Sequence, residues 1–169
     1  GLGGAGFPTH VKLQPKNPEA IRFVIANGAE CEPYINGDHL TLLNHPDELL
    51  KGIELARIAQ GVDKVYYGIE KNKQDAIDLL NSKIAGKYNI EIVPEGTLYP
   101  QGGEKMQIKT ITNREVKPGG LPAGVGCCVI STRTAYAIYQ ACCEGKSVVE
   151  RIVTVDGSAV AAPVNAMIR

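Results

Sequence analysis

The chain has 169 residues, 44% hydrophobic and 21% charged, the make-up of one globular domain long enough to bury a core without disulfide or metal staples. Eighteen Lys and Arg balance eighteen Asp and Glu, which excludes a general nucleic-acid coat or a polyanionic tail. With no Trp and only two Phe there is little aromatic surface for stacking single-stranded nucleic acid, so no nucleic-acid partner is expected.

In chain order, the first residues are a glycine-rich loop with no initiator Met, so either residues precede it or it is an excised piece. Pro8 allows a short helix from Thr9, ended by Pro15 and Pro18. Residues 21–26 form a short apolar run rich in β-forming side chains, read as a buried strand, and residues 27–37 are a loop at its carboxyl end. Pro46 suits the first turn of a helix stopped by Gly61. A strand over 62–69, a helix over 72–85 and a strand over 88–93 follow. A helix is expected over 104–113, then a Gly/Pro-rich loop over 118–126 and a strand over 127–130. Ser131 or Thr132 caps a helix ended by Gly145, and a last strand spans 148–155, with a turn at Asp156 and Gly157.

Strands alternating with helices of this length predict an α/β fold, a Rossmann-like parallel sheet with helices on both faces. Ligands of such sheets lie beyond the carboxyl ends of the strands. The loops 1–12, 27–37 and 99–105 are therefore expected to converge on one crevice. The alternation stops after Val155, and the tail reads as the start of a second, β-rich unit.

No stretch approaches the roughly 18 apolar residues of a membrane span, and no signal peptide is visible; a cytoplasmic protein is expected. The five Cys are odd in number, include two neighbouring pairs and lack C-x-x-C spacing, which reads as reduced thiols. With three scattered His they make no metal site, so iron and zinc are expected to be absent from this stretch.

Three segments carry chemistry. Residues 1–6 satisfy G-x-G-x-x-G, but without the preceding strand of a dinucleotide fingerprint; they read as a loop whose backbone N–H groups approach a phosphate or planar ring, with Lys12 beside it, or as a plain mobile terminus. Asn27-Gly-Ala-Glu30-Cys-Glu32-Pro33 holds two carboxylates at a strand end, either polar partners for a ligand or a solvated acidic loop. Tyr99-Pro-Gln-Gly-Gly103-Glu104-Lys105 offers a helix start suited to an anion, or a plain connector. No residue is expected to act as a nucleophile.

Together these segments go beyond spacing. Gly-Gly-Ala-Gly-Phe-Pro-Thr at 3–9 resembles the flavin loop of the complex I flavoprotein subunit. Asn-Gly-Ala-Glu-Cys-Glu-Pro at 27–33, the 99–105 segment and Glu-Arg-Ile-Val-Thr-Val-Asp-Gly at 150–157 resemble the C subunit of the Rnf ferredoxin:NAD oxidoreductase and its relatives, the propanediol-utilisation cobalamin reductase and the proline reductase electron-transfer protein. The resemblance covers essentially the whole chain. It implies an NADH/FMN-binding domain over 1–150 and, over 151–169, the truncated lead into a β-grasp domain, with iron–sulfur cysteines farther on.

The implied function is electron transfer between NADH, FMN and iron–sulfur centres, as part of an NADH-dependent oxidoreductase, alongside redox partner subunits and peripheral to a membrane complex. The alternative is a scaffold with a decayed flavin site that docks redox partners or a corrinoid. Carried over by position, Gly1, Gly3, Gly4 and Lys12 line FMN and Phe7 flanks the nucleotide. Asn27, Glu30 and Glu32 reach the flavin or nicotinamide, and Gly103 and Glu104 make a flavin contact. Ser131 stands where the family places Asn.

Overall fold

The computed structural model describes Leu2 and residues 5–169. Four parallel strands, β1 (Phe23–Gly28), β2 (Val65–Glu70), β3 (Ile90–Glu95) and β4 (Cys127–Ser131), form one sheet in the order β3-β2-β1-β4. β1 is central, with Val24 level with Val65 on one side and with Cys128 on the other. Chain order therefore runs outward from β1 to β3, then jumps back past β1 to β4.

That reversal dictates the layers. A right-handed crossover places its helix on one face when the chain moves one way along the sheet and on the other face when it moves back. The connections β1 to β2 and β2 to β3 carry α2 (Gly37–Asn44), α3 (Pro46–Gln60) and α4 (Gln74–Ile84), and β3 to β4 carries α5 (Glu104–Thr112). The last long helix, α6 (Thr132–Glu144), joins the first group. The larger core packs Val24, Ala26, Val65, Tyr67 and Ile69 against Leu42, Leu49, Ile53, Leu80 and Ala135 of those helices. The opposite face carries a small core of Ile25, Cys127, Val129 and Ile108 of α5. An α/β parallel sheet with helices on both faces is thus what the alternation predicted.

Local chemistry sets the ends. Pro46 opens α3 with Asp47 and Glu48 in its first turn, and left-handed Gly61 closes it, its N–H bonding to Arg57 and Ile58 carbonyls. Ser131 caps α6 by accepting the Thr134 N–H. Helix α2 is a correction to the sequence reading, which assigned no element between the 27–37 loop and Pro46. It buries Thr41 and Leu42, and a distant carboxylate holds its start. The strand expected from 88 begins at Ile90 and runs through Pro94, which an edge strand accepts because it owes no hydrogen bond outward.

The tail forms a separate antiparallel hairpin, β5 (Arg151–Val155) and β6 (Val164–Ile168); its first strand starts at 151, not 148. Arg133 at the start of α6 donates to the Ile152 carbonyl at 2.5 Å, and Asn165 donates to Asn36 Oδ1 at 2.6 Å. Among the described residues no helix is long and apolar enough to cross a membrane.

Candidate functional site

The strand order reverses between β1 and β4, and crevices form at such points beyond the strands' carboxyl ends. A cavity of about 960 Å³ lies there, at the upper end of the range for ligand pockets. It runs the length of β4 along its outer edge. Asn27 from the end of β1, Ser131 from the end of β4, Thr134 of α6 and Glu104 of α5 line one end. The short helix α1 (Thr9–Leu13) contributes Thr9, Val11 and Lys12, and residues 14–17, Ala20 and the 121–124 turn lie toward the strands' amino ends.

Lys12 is the cation of the carboxyl end. Its ammonium donates to Glu104 Oε1 at 2.9 Å and to the Val129 carbonyl at 2.8 Å, and lies 5.9 Å from the Phe7 ring centroid. An ammonium has three N–H donors, so one is left after these two bonds. Asn27 is held at both ends of its amide: Nδ2 donates to the Gly102 carbonyl at 2.9 Å, and Oδ1 accepts the Ala29 N–H at 3.1 Å. One Nδ2–H is left over. Its backbone is fixed from below, because buried Tyr67 donates to Thr132 Oγ1 at 3.0 Å, and Thr132 donates to the Asn27 carbonyl at 3.1 Å. Burial holds the Tyr67 phenol well above its ordinary range, so it stays a donor.

At the start of α6, the Ser131 and Thr134 hydroxyls lie 2.9 Å apart, and Leu2 N–H donates to Thr134 Oγ1 at 3.2 Å. Cys127 and Cys128 form part of the cavity wall with inert thiols: burial raises both, Cys128 to about 12.

The acidic pair of the 27–37 loop goes elsewhere. Glu30 turns inward. Its Oε1 accepts the Asp38 N–H at 2.8 Å, and its Oε2 accepts the His39 N–H at 3.2 Å and the Lys73 ammonium at 3.0 Å. It thus serves the orphan donors at the start of α2. Lys73 also faces Glu70 at 3.6 Å, and all three side chains of this triad are buried. Asp38, in the same cluster and paired with Arg133 at 2.9 Å, is pushed up to about 6 by burial and by the Glu30 charge. Glu32 is exposed and lines a second cavity of about 370 Å³ with Glu30, Tyr34, His39, Asn72 and Lys73.

The expected single crevice is therefore two cavities with a common wall. Gly102 donates to Cys31 Sγ at 3.3 Å while its carbonyl takes Asn27. A Cβ at Gly102 would stand 2.5 Å from the Ala29 carbonyl oxygen, so only glycine lets these loops meet. Of the residues singled out from sequence, Phe7, Lys12, Asn27, Glu104 and Ser131 share the large cavity. Gly103 precedes α5 beside it and donates to the Pro100 carbonyl at 2.8 Å. Glu30 and Glu32 line the small one. Gly1, Gly3 and Gly4 lie outside the described residues. The sequence reading missed Thr134, Lys16, Asn17 and the 121–124 turn; the Gly/Pro-rich composition around that turn was the available signal.

Residues 1–140 match the model of the Nuo51 FMN-binding domain family. Over its whole length the chain is 40% identical to the C subunit of the proton-translocating ferredoxin:NAD(+) oxidoreductase complex of Clostridium ljungdahlii and 41% identical to the Na(+)-translocating counterpart of Acetobacterium woodii. It is 39% identical over 98% of its length to the C subunit of the ion-translocating oxidoreductase complex of Pseudomonas aeruginosa. The chain spans only 37%, 38% and 21% of those relatives. Among solved structures, an NAD+-reducing NiFe-hydrogenase in the H2-reduced state superposes with a TM-score of 0.79 at 26% identity, covering 98% of this chain and 34% of the hydrogenase chain.

Proposed function

The chain belongs to the Nuo51 FMN-binding domain family, and from that premise we propose that it is the flavin-bearing part of an electron-transfer protein like the Rnf C subunit. In this reading FMN occupies the large cavity, NADH delivers electrons there, and iron–sulfur centres held by other parts of the protein carry them to redox partner subunits. The protein would sit peripherally on a membrane complex, on its cytoplasmic side. The hairpin of residues 151–168 would lead into a β-grasp unit.

The observation that carries the reading is the donor set gathered at the reversal of strand order. The residues fit a flavin nucleotide. Lys12 and Asn27 each keep an unspent N–H donor beside a cavity long enough for an extended ligand. The start of α6, with the Ser131 and Thr134 hydroxyls, suits a phosphate. Ser131 in place of the family Asn still caps α6, so the phosphate end keeps its shape with a shorter side chain.

Bound FMN would supply the exchange between a two-electron hydride donor and one-electron acceptors. The chain's own residues bind and orient. Asn27 is pre-set by Tyr67 and Thr132, so its free N–H is aimed without ordering cost at the moment of binding. Lys12 presents positive charge whose strength Glu104 moderates. The apolar walls Phe7, Val11 and Val129 keep water from one side of the ligand.

The test is flavin fluorescence during FMN titration of the full-length protein. Saturable quenching, weakened about tenfold by Lys12→Ala or Asn27→Ala, supports the reading; a tenfold loss corresponds to about 1.4 kcal/mol. No quenching at millimolar FMN would reject it in favour of a scaffold that docks redox partners or a corrinoid.

A further inference from the structure

We propose that Glu95 is a positioning residue: it carries a proton, shares it with Gln107 as a carboxylic acid–amide pair, and through that pair holds the 99–103 segment beside the large cavity. The inference rests on the flavin reading only for the ligand whose affinity reports the position of that segment.

Glu95, the last residue of β3, and Gln107 of α5 are 1% and 0% exposed. Gln107 Nε2 donates to Glu95 Oε2 at 3.0 Å. The other oxygen of each side chain, Glu95 Oε1 and Gln107 Oε1, is buried without a hydrogen-bond partner. An ionised carboxylate and an amide oxygen are both acceptors, so neither can satisfy the other. A proton on Glu95 Oε1 makes it a donor, and one O–H bond to Gln107 Oε1 then satisfies both atoms beside the N–H bond already present. Exchanging the amide's oxygen and nitrogen does not remove the need, because it brings two oxygens to 3.0 Å, which again requires a proton between them.

Charge points the same way. Glu95 stands level with Glu70 of β2, and both are buried. Glu70 has the Lys73 ammonium at 3.6 Å, whereas no Lys, Arg or His among the described residues pairs with Glu95. Two neighbouring buried carboxylates with one cation favour a proton on the one that lacks the cation. Burial raises the Glu95 carboxyl, the Gln107 and Gln101 amides lower it, and the Glu70 charge raises it.

The pair has a seat built for it. A Cβ at Gly68 of β2 would stand 2.5 Å from Gln107 Nε2 and 2.9 Å from Glu95 Oε1, so glycine is what lets the acid and the amide lie over the strand. Gly68 is level with Asn27 on β1. Two short links run from this seat to the donors of the large cavity. The Gln107 N–H donates to the Gly103 carbonyl at 3.0 Å, and the adjoining Gly102 carbonyl takes Asn27 Nδ2 at 2.9 Å. Glu104, three residues before Gln107 on α5, takes the Lys12 ammonium at 2.9 Å. Ionising Glu95 removes the O–H bond, leaves Gln107 Oε1 beside a negative charge, and loosens the start of α5 together with both links.

The experiment uses the full-length protein, its Glu95→Gln variant and the exchanged pair Glu95→Gln/Gln107→Glu, each across a pH series. Infrared spectra read the carboxylic acid C=O stretch, amide hydrogen exchange over residues 99–103 reads the segment, and flavin fluorescence reads FMN affinity. Near neutral pH the wild type should show a carboxylic acid band that E95Q lacks and the exchanged pair restores. As pH rises and that band disappears, exchange over 99–103 should quicken and FMN affinity should fall about tenfold relative to E95Q, whose introduced amide keeps both bonds at every pH. A wild type without the band overturns the proposal, as does a pH profile of exchange or of FMN affinity that is the same in wild type and E95Q. FMN that does not bind, while the band and the exchange profile behave as expected, overturns the flavin reading and leaves this one standing.

Discussion

Gly52 lies in the middle of α3, where it lets α6 approach to backbone contact. A Cβ added there would stand 1.9 Å from the Ala135 carbonyl oxygen and 2.7 Å from the Ala135 carbonyl carbon. Restoring an ordinary contact requires α3 and α6 to part by about 1.5 Å, and backbone cannot swing aside as a side chain can. Gly52→Ala therefore sets two opposite effects against each other. Ala is favoured over Gly in a helix interior by about 1 kcal/mol. Overpacking costs about 1–3 kcal/mol, and here it falls at the high end because backbone is the obstacle and the surrounding core is fully buried. The net is a destabilisation of about 1–2 kcal/mol, a fall in Tm of about 2–8 °C for a domain of this size. Parting the helices also displaces the start of α6, so FMN affinity should fall in the same variant. Far-UV circular dichroism during thermal and urea unfolding reads the first effect, and flavin fluorescence the second. A G52A protein as stable as wild type or more so would show that helix propensity wins and that α3 and α6 do not touch at this point.

Three other outcomes are expected. Glu30→Ala should cost about 3–5 kcal/mol, because it strips a buried Lys73 of its closer partner and α2 of its acceptor; Glu32→Ala, at an exposed position, should stay within about 0.5 kcal/mol, and equal urea midpoints for the two variants would contradict this placement of Glu30. Burial holds the Glu95 carboxyl above its ordinary range, opposed by the Gln107 hydrogen bond, so its contribution is most favourable below about pH 4.5 and is lost as pH rises through the folded value. Glu95→Gln should therefore gain stability over wild type as pH rises, whereas a stability difference that does not change with pH would be evidence against a carboxyl raised by burial. Brief iodoacetamide treatment of the native protein at pH 8 should label exposed Cys142 and Cys143 and spare buried Cys127 and Cys128; peptide mapping that finds all four labelled alike would refute the burial of the β4 thiols.

Much of the fold is legible because its signals are local. The apolar runs of β1, β2 and β4, Pro46 before α3, Gly61 after it and the capping Ser131 each act within a few residues. Helix α2 is hidden because its start is held by Glu30 rather than by a neighbouring cap. The motifs located the neighbourhood of the site, but not which carboxylate faces which cavity. Glu30 turns inward because Lys73 waits 43 residues away, and Lys12 meets Glu104 across 92 residues. Neither pairing leaves a trace in spacing. Lys16 and the 121–124 turn escape for a different reason: attention to strand carboxyl ends ignores a cavity that continues along an edge strand to its amino end.

The wall between the two cavities has a thermodynamic consequence. Its two layers are the 27–31 and 99–103 segments, joined by Asn27 to the Gly102 carbonyl and by Gly102 N–H to Cys31, with no room for a Cβ between them. Drawing either layer away from the other breaks both of these bonds. A ligand that displaces the wall from one side changes the shape of the chamber on the other, and the resulting change in affinity must be the same factor in both directions. The joint at Gly102 thus makes two chambers with different linings into one linked equilibrium.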